Sequence, residues 1–246
     1  MTDTREARTF ASEIKFVVDH DLGVQIREWV RAHLDPDPHG TGPFGDEYET
    51  VSLYFDTEDH DVFHRRGSFA RAKFRVRRYT EADVIFLERK LRRPHMVVKR
   101  RTRASLDVLD RLMQPDSDPS WSAEWFHQRL QLRRLSPVCQ VSYQRTARTA
   151  AVDGTLARLT LDEGIRVAPA EDVRFGADAG VPVLHRRMVL ELKYRVDLPA
   201  VFKRLVEEFA LQTQTASKYR LGMMVLGHVA QVAMHEAPDH SVVKAP

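Results

Sequence analysis

A single cysteine, Cys139, among 246 residues leaves no internal disulfide to staple the chain. It lies in an apolar stretch, where packing is a commoner role for a thiol than attack on a substrate. Long apolar runs are also lacking. The best late stretch, residues 221–234, is interrupted by Gly227, His228 and Gln231, and is too short and polar for a bilayer. The opening residues, MTDTREARTF, hold no apolar signal core. These absences lead to the expectation of a soluble, cytoplasmic protein with no membrane span in this chain. There is no Gly-x-x-x-x-Gly-Lys loop and no dinucleotide-type glycine pattern. Eleven histidines are scattered without ligand spacing inside any one strand or helix, which argues against zinc.

What the chain does have is charge gathered in one place. The net charge is only +3, yet residues 65–103 carry fifteen Lys and Arg against three Asp and Glu. Such a concentration calls for a polyanionic partner: a phosphate chain, a nucleotide or a nucleic acid. Hydrophobic residues, at 43%, suffice for a core, and the length fits one large domain or two small ones. No repeat or linker marks a boundary. The expected organisation is a disordered leader over 1–9, one domain over 10–234 and a loose tail over 235–246.

Strand patterns run over 10–18, 49–56, 69–79, 83–91, 96–103, 138–149, 155–161 and about 189–196. Helical patterns run over 19–34, 104–112, 122–135, 198–209 and 219–234. Trp121 and Trp125 fall at helical spacing and are expected in the core. Three Pro and three Gly make 35–46 a loop. The class is therefore α+β, with about eight strands.

Side chains alternate between the two faces of a strand. Several strands here put charge on one face and apolar residues on the other. Glu13 and Lys15 share a face, as do Lys73, Arg75 and Arg77; Glu88 and Lys90; and Lys99, Arg101 and Arg103. Tyr143 goes with Arg145, Arg158 with Thr160 and Asp162, and Glu191 with Lys193. A solvated sheet face is the ordinary reading of such alternation. Consecutive Arg and Lys on one face are costly, however, unless an anion lies between them. Closing the sheet with the charged face inward gives an antiparallel β-barrel with a polar lumen, and helices cover its apolar outside. Guanidinium and ammonium groups in that lumen suit phosphate oxygens, and the interspersed carboxylates suit a hard divalent cation.

The order and spacing of these motifs resemble the VTC domain of vacuolar transporter chaperone polyphosphate polymerases, within the CYTH or triphosphate tunnel superfamily. The resemblance runs from Glu13-Ile14-Lys15 to Ser217-Lys218-Tyr219. Between them come Ser52-Leu53-Tyr54-Phe55-Asp56-Thr57, Phe74-Arg75-Val76-Arg77-Arg78-Tyr79, Phe86-Leu87-Glu88-Arg89-Lys90 and Val98-Lys99-Arg100-Arg101. Tyr143-Gln144-Arg145-Thr146-Ala147, Arg158-Leu159-Thr160-Leu161-Asp162 and Leu190-Glu191-Leu192-Lys193 follow.

The resemblance implies an eight-stranded triphosphate tunnel with flanking helices. It implies phosphate contacts from Lys15, Arg75, Arg77, Lys90, Lys99, Arg145, Arg158 and Lys218. It also implies hydroxyl contacts from Tyr143 and Ser217, and a Mn or Mg ion at Glu191. Glu13 and Glu88 are further metal candidates, and Lys193 is a further substrate contact. Two positions depart from the family pattern. Ala11 replaces the first glutamate of the hydrolytic branch, and Thr215 replaces a lysine of the polymerase branch.

Phosphoryl transfer depends mainly on positioning and charge neutralisation. The activity that the resemblance implies is transfer of the γ-phosphoryl group of ATP to a phosphate chain, with Arg75, Arg77, Lys90, Arg145 and Arg158 expected to cradle the reacting phosphates. The rival activities are triphosphate hydrolysis and non-catalytic binding of polyphosphate. Nucleic acid is a poorer fit, because the aromatic residues do not form a platform on an exposed basic face.

Overall fold

The computed structural model describes residues 12–80, 82–93, 96–116, 118–152, 154–177 and 180–227. The leader expected over 1–9, the tail over 235–246, residues Phe10 and Ala11, and positions 228–234 of the closing helix lie outside these residues. The elements run β1 (Ser12–Asp19), α1 (His20–His33), β2 (Asp35–Pro36), β3 (Glu47–Asp56), α2 (Asp61–His64), β4 (Ala72–Tyr79), β5 (Val84–Arg93), β6 (Met96–Ser105), α3 (Glu124–Leu132), β7 (Ser136–Val152), β8 (Thr155–Pro169), β9 (Val181–Pro182), β10 (Arg187–Tyr194), α4 (Ala200–Glu208) and α5 (Lys218–Val225). The eight long strands form one antiparallel sheet in the order β1-β10-β8-β7-β3-β4-β5-β6, with β2 attached to β7 and β9 to β8. No described helix is long and apolar enough to cross a membrane.

One helical expectation fails. Residues 104–112 are not a helix: Ala104 and Ser105 continue the β5–β6 ladder opposite Ile85 and Val84, and single 3-10 turns follow at Leu106–Val108 and Asp110–Met113. A strand partner already in register outweighs a short helical pattern. Strands β7 and β8 also run well past their expected ends. Trp121 and Trp125 pack at the edge of the core, and Trp125 donates its indole N–H to Thr102.

The apolar outer face is covered on two sides. Phe16, Leu159, Leu161, Leu190 and Leu192 pack with Ile26, Trp29 and Val30 of α1 and with Phe202 and Leu205 of α4. Phe55, Phe74, Val76, Ile85 and Leu87 pack with Leu109, Leu112 and the α3 residues Phe126 and Leu130. Burying each large side chain stabilises the fold by about 1.5–3 kcal/mol. That apolar coat fixes which face of every strand turns inward.

The expected closed barrel is corrected in one respect. Among the described residues β1 and β6 do not pair, so a seam remains between the sheet edges. The reason lies in the chain after α4. Gln214 N–H donates to the Lys15 carbonyl at 2.8 Å, so the free edge of β1 is occupied by the segment that leads into α5. Across the seam, Lys90 of β5 reaches Glu13 of β1 at 3.0 Å.

Candidate functional site

Register brings the charged residues of different strands side by side. On the β3–β6 wall, Glu88 lies opposite Arg75 on one side and Arg101 on the other. Glu88 is 1% exposed, and its carboxylate is bound by Arg75 at 2.6 Å, Lys99 at 2.7 Å and Arg101 at 3.1 Å. Burial would raise its pKa, but Arg75, Lys99, Arg77 and Arg101 drive it well below the usual carboxylate range. Arg75 also donates to the Tyr54 hydroxyl at 3.3 Å.

Arg77 is different. It is 5% exposed, and it donates to Ser52 Oγ at 3.0 Å and to the Tyr143 hydroxyl at 3.1 Å. Among the described residues no carboxylate lies within ion-pair distance of it. A buried guanidinium with hydroxyl partners alone is an incomplete arrangement that an anion completes.

On the opposite wall, carboxylates are more numerous. Lys15 bridges Glu13 and Glu191, at 2.8 Å from each. Glu191 also meets Lys193 at 2.9 Å and Lys218 at 3.6 Å. Asp162 takes both arms of the Arg145 fork, at 2.6 and 2.7 Å, together with Lys218 at 2.6 Å. Burial opposes ionisation of Glu13, Asp162 and Glu191, yet the nearby Lys and Arg groups hold all three pKa values down. Arg158 sits further along β8, held by Asp37 at 2.9 Å and by the Tyr48 hydroxyl at 2.7 Å.

Helix α5 closes one end. Its Tyr219 and Met223 belong to the same cluster as Tyr54, Cys139, Val141 and Val167. Gly222 allows the close approach, since a Cβ there would stand 2.9 Å from Val167 Cγ2. Tyr219 donates its hydroxyl proton to Asp56, which also accepts from the Val62 and Phe63 N–H groups at the start of α2. Thus the motif Asp56-Thr57 anchors the helix that carries Ser217 and Lys218. Ser217 Oγ caps α5 by accepting from the Arg220 N–H, and it accepts from Lys73 Nζ at 2.7 Å. Lys73 lies opposite Lys90 in register. Burial, Lys15 and Lys90 hold the Lys73 amine down to about 7.

The other end is aromatic. Tyr79 lies 5.5 Å from both Tyr48 and Phe86, ring centre to ring centre. The Arg101 guanidinium stands 3.6 Å over the Phe86 ring, and it donates to the Tyr79 hydroxyl at 3.1 Å. Burial pushes the Tyr79 phenol up, but Arg77, Arg101 and Lys99 outweigh it and hold the phenol down to about 7.

The structure thus brings together Lys15, Arg75, Arg77, Lys90, Lys99, Tyr143, Arg145, Lys193, Ser217 and Lys218 with Glu13, Glu88 and Glu191 in one linked set of inner-face contacts, and places Arg158 towards its aromatic end. Sequence reasoning passed over Lys73, Arg101 and Asp162 as site residues, although strand parity puts each beside an assigned neighbour. Ser52 and Tyr54 belong to the motif Ser52-Leu53-Tyr54-Phe55-Asp56-Thr57. Asp37, in the 35–46 loop, left no signal.

A linked set of basic side chains inside an antiparallel sheet, with an anchored Ser-Lys-Tyr helix at one end, is the arrangement that the sequence motifs implied. The family profile described as VTC domain matches residues 10–227. The chain belongs to the VTC domain family. Solved structures share the tunnel fold. One is a Bacillus halodurans protein provisionally named an adenylate cyclase, at 12% identity and TM-score 0.54, covering 85% of this chain and 95% of that one. Another is a Hippeastrum protein provisionally named an adenylyl cyclase and described as having a dominant triphosphatase activity. It shows 13% identity and TM-score 0.50, covering 90% of this chain and 98% of that one. No curated protein matches the chain.

Whether a VTC tunnel built like this suits a divalent metal is decided by its oxygen donors. Among the described residues, no three His, Cys, Asp or Glu side chains gather as a metal cage. Glu88 is engaged by three cations and does not join Glu13 and Glu191 in such a group. Glu13 and Glu191, however, converge on the one Lys15 ammonium. Mg is commonly held by one or two carboxylates plus substrate phosphates, so this pair fits it once a phosphate chain supplies the remaining oxygens.

Proposed function

We propose that the chain is a polyphosphate polymerase acting in the cytoplasm, moving the γ-phosphoryl group of ATP onto a phosphate or a growing phosphate chain. The observation that carries this reading is Arg77, a buried inner-face guanidinium whose hydrogen-bond partners among the described residues are hydroxyls, flanked by Arg75 and Arg145. Its environment suits a phosphate group. Arg75 and Arg77 would draw negative charge from the phosphate oxygens of the donor. Arg145, Lys90, Lys99 and Arg158 would hold the rest of the chain in line, with Tyr143 and Ser217 as hydroxyl contacts. In the step itself the γ-phosphorus–oxygen bond to the β-phosphate breaks, a terminal oxygen of the acceptor chain bonds to that phosphorus, and ADP carries away the bond's electron pair. Mn or Mg held by Glu191 and Glu13 would neutralise phosphate oxygens when bound. Lys15, Lys193 and Lys218 orient those two carboxylates.

Transfer is favoured over hydrolysis by the state of the carboxylates. Glu13, Glu88, Asp162 and Glu191 each meet at least two cations, and their pKa values are all held down. A carboxylate so stabilised is a weak base for activating water. Incubation with ATP and Mn should yield ADP and long phosphate chains. Orthophosphate without chains would assign the chain to triphosphate hydrolysis instead, the activity described for the Hippeastrum protein. Binding of polyphosphate with no turnover of ATP under any divalent metal would leave a binding module.

A further inference from the structure

The polymerase reading leaves one inner-face feature unused, and the inference drawn from it rests on that reading. Phe86 is the one aromatic ring on a β5 face that it shares with Val84, Glu88, Lys90 and Arg92. Tyr48, Tyr79 and Phe86 belong to neither hydrophobic core cluster. They stand together at the end of the tunnel remote from α5, as an edge-to-face set: Tyr48 against Tyr79 at 84° and Tyr79 against Phe86 at 63°. Phe86 and Tyr79 are only partly buried. A guanidinium already lies 3.6 Å over the Phe86 ring. Phosphates have no use for rings, whereas aromatic faces and guanidinium planes are what a nucleobase stacks on.

We propose that Tyr48, Tyr79, Phe86 and Arg101 form the nucleobase site of the donor, so that the nucleoside triphosphate lies with its base at this end and its terminal phosphate towards α5. The spacing along β4 supports that polarity. Tyr79, Arg77, Arg75 and Lys73 are successive inner-face residues, each step roughly 7 Å. A base at Tyr79 therefore sets the first phosphates beside Arg77 and the terminal one towards Arg75 and Lys73. The acceptor chain would then approach from the α5 side, past Lys15, Lys90 and Lys218. The seat recognises a flat ring by stacking, so it would accept purines more tightly than pyrimidines.

The test uses the full chain in metal-free buffer and measures dissociation constants by calorimetry for three ligands: ATP, ribose 5-triphosphate and inorganic tripolyphosphate. ATP and ribose 5-triphosphate carry the same phosphates and differ by the base alone. The wild-type protein should bind ATP at least tenfold more tightly than ribose 5-triphosphate. Phe86→Leu should remove most of that difference while leaving tripolyphosphate affinity within twofold. Equal affinity of the wild-type protein for ATP and ribose 5-triphosphate would overturn the base site, and the phosphate tunnel would stand. The site is also overturned if Phe86→Leu weakens tripolyphosphate as much as ATP, because the ring would then shape the phosphate channel. No binding of any of the three would remove the polymerase reading and the base site with it.

Discussion

The two walls of the tunnel spend similar residues differently. On β1, β8 and β10, with β7 beside them, Glu13, Asp162 and Glu191 are interleaved with Lys15, Arg145, Lys193 and Lys218, and charge is close to balanced. On β3 to β6, Glu88 engages Arg75, Lys99 and Arg101, while Lys90 leans across the seam to Glu13. Among the described residues, Arg77 and Lys73 hydrogen-bond to hydroxyls and to no carboxylate. The balanced wall holds its carboxylates in place without a ligand. On the unbalanced wall, an anion in the lumen would supply the missing counter-charge. A tunnel with one wall of each kind can neutralise a phosphate chain on one side and present oxygen donors to a divalent cation on the other.

The largest expected effect breaks the balanced wall. Glu191→Gln keeps the volume and removes the charge. Metal-dependent turnover should fall at least about a hundredfold, some 2.7 kcal/mol, while polyphosphate binding in metal-free buffer stays within a few-fold of wild type. Stability should fall by about 2–3 kcal/mol, because Lys15, Lys193 and Lys218 lose their shared partner. A stable variant with full turnover, read from ADP release and thermal melts, would take Glu191 out of the chemistry.

On the unbalanced wall, Arg77→Met should have the opposite signature. Charge-assisted hydrogen bonds contribute about 1.5–3 kcal/mol each, so polyphosphate affinity should drop roughly a hundredfold by calorimetry. The melting temperature should hold or rise, since a desolvated cation without a carboxylate is removed. A variant that melts lower and binds normally would mean that Arg77 is structural.

Lys73 offers a smaller, pH-dependent signal. Its folded-state pKa of about 7 lies below the ordinary amine value. The unfolded chain keeps that proton until near pH 10, so the group disfavours the fold fully below about pH 7, and the penalty fades as pH rises towards 10. A bound polyanion restores the amine's charge. Polyphosphate binding at about pH 8 should therefore take up protons, with Tyr79, also held near 7, contributing by the same sign. Heats measured in buffers of different ionisation enthalpy should show the uptake, reduced by up to about one proton in Lys73→Met. Unchanged uptake in that variant would place the titration elsewhere.

The smallest effect is expected outside the tunnel. Arg89 is on the outer face, over Trp125 at 5.9 Å. Arg89→Gln should change polyphosphate affinity less than about twofold, since a solvent-screened charge acts weakly through the wall. A tenfold loss would show that the walls' inner and outer faces act as one binding surface.

Much of the site was legible because strand alternation is local. Lys73, Arg75 and Arg77 share a face by their numbering alone, and Phe74 and Val76 must then face the helices. The helix expected over 104–112 does not form from its first residues, because Ala104 and Ser105 pair with Ile85 and Val84, about twenty residues earlier. The same holds for the expected closure of the barrel. Nothing in residues 12–19 indicates that the segment around Gln214 will occupy their edge.

The sequence by itself determined the strand faces, the eight long strands and the family. It did so because period-two alternation and motif order are written along the chain. Tertiary structure alone decided which cation meets which carboxylate. Glu88 is thirteen residues from Arg75, but Lys15 is 176 from Glu191 and Lys73 is 144 from Ser217. Whether a charge is balanced, strained or awaiting an anion depends on such distant neighbours, since ion pairing acts over a few ångströms of space and is blind to separation along the chain.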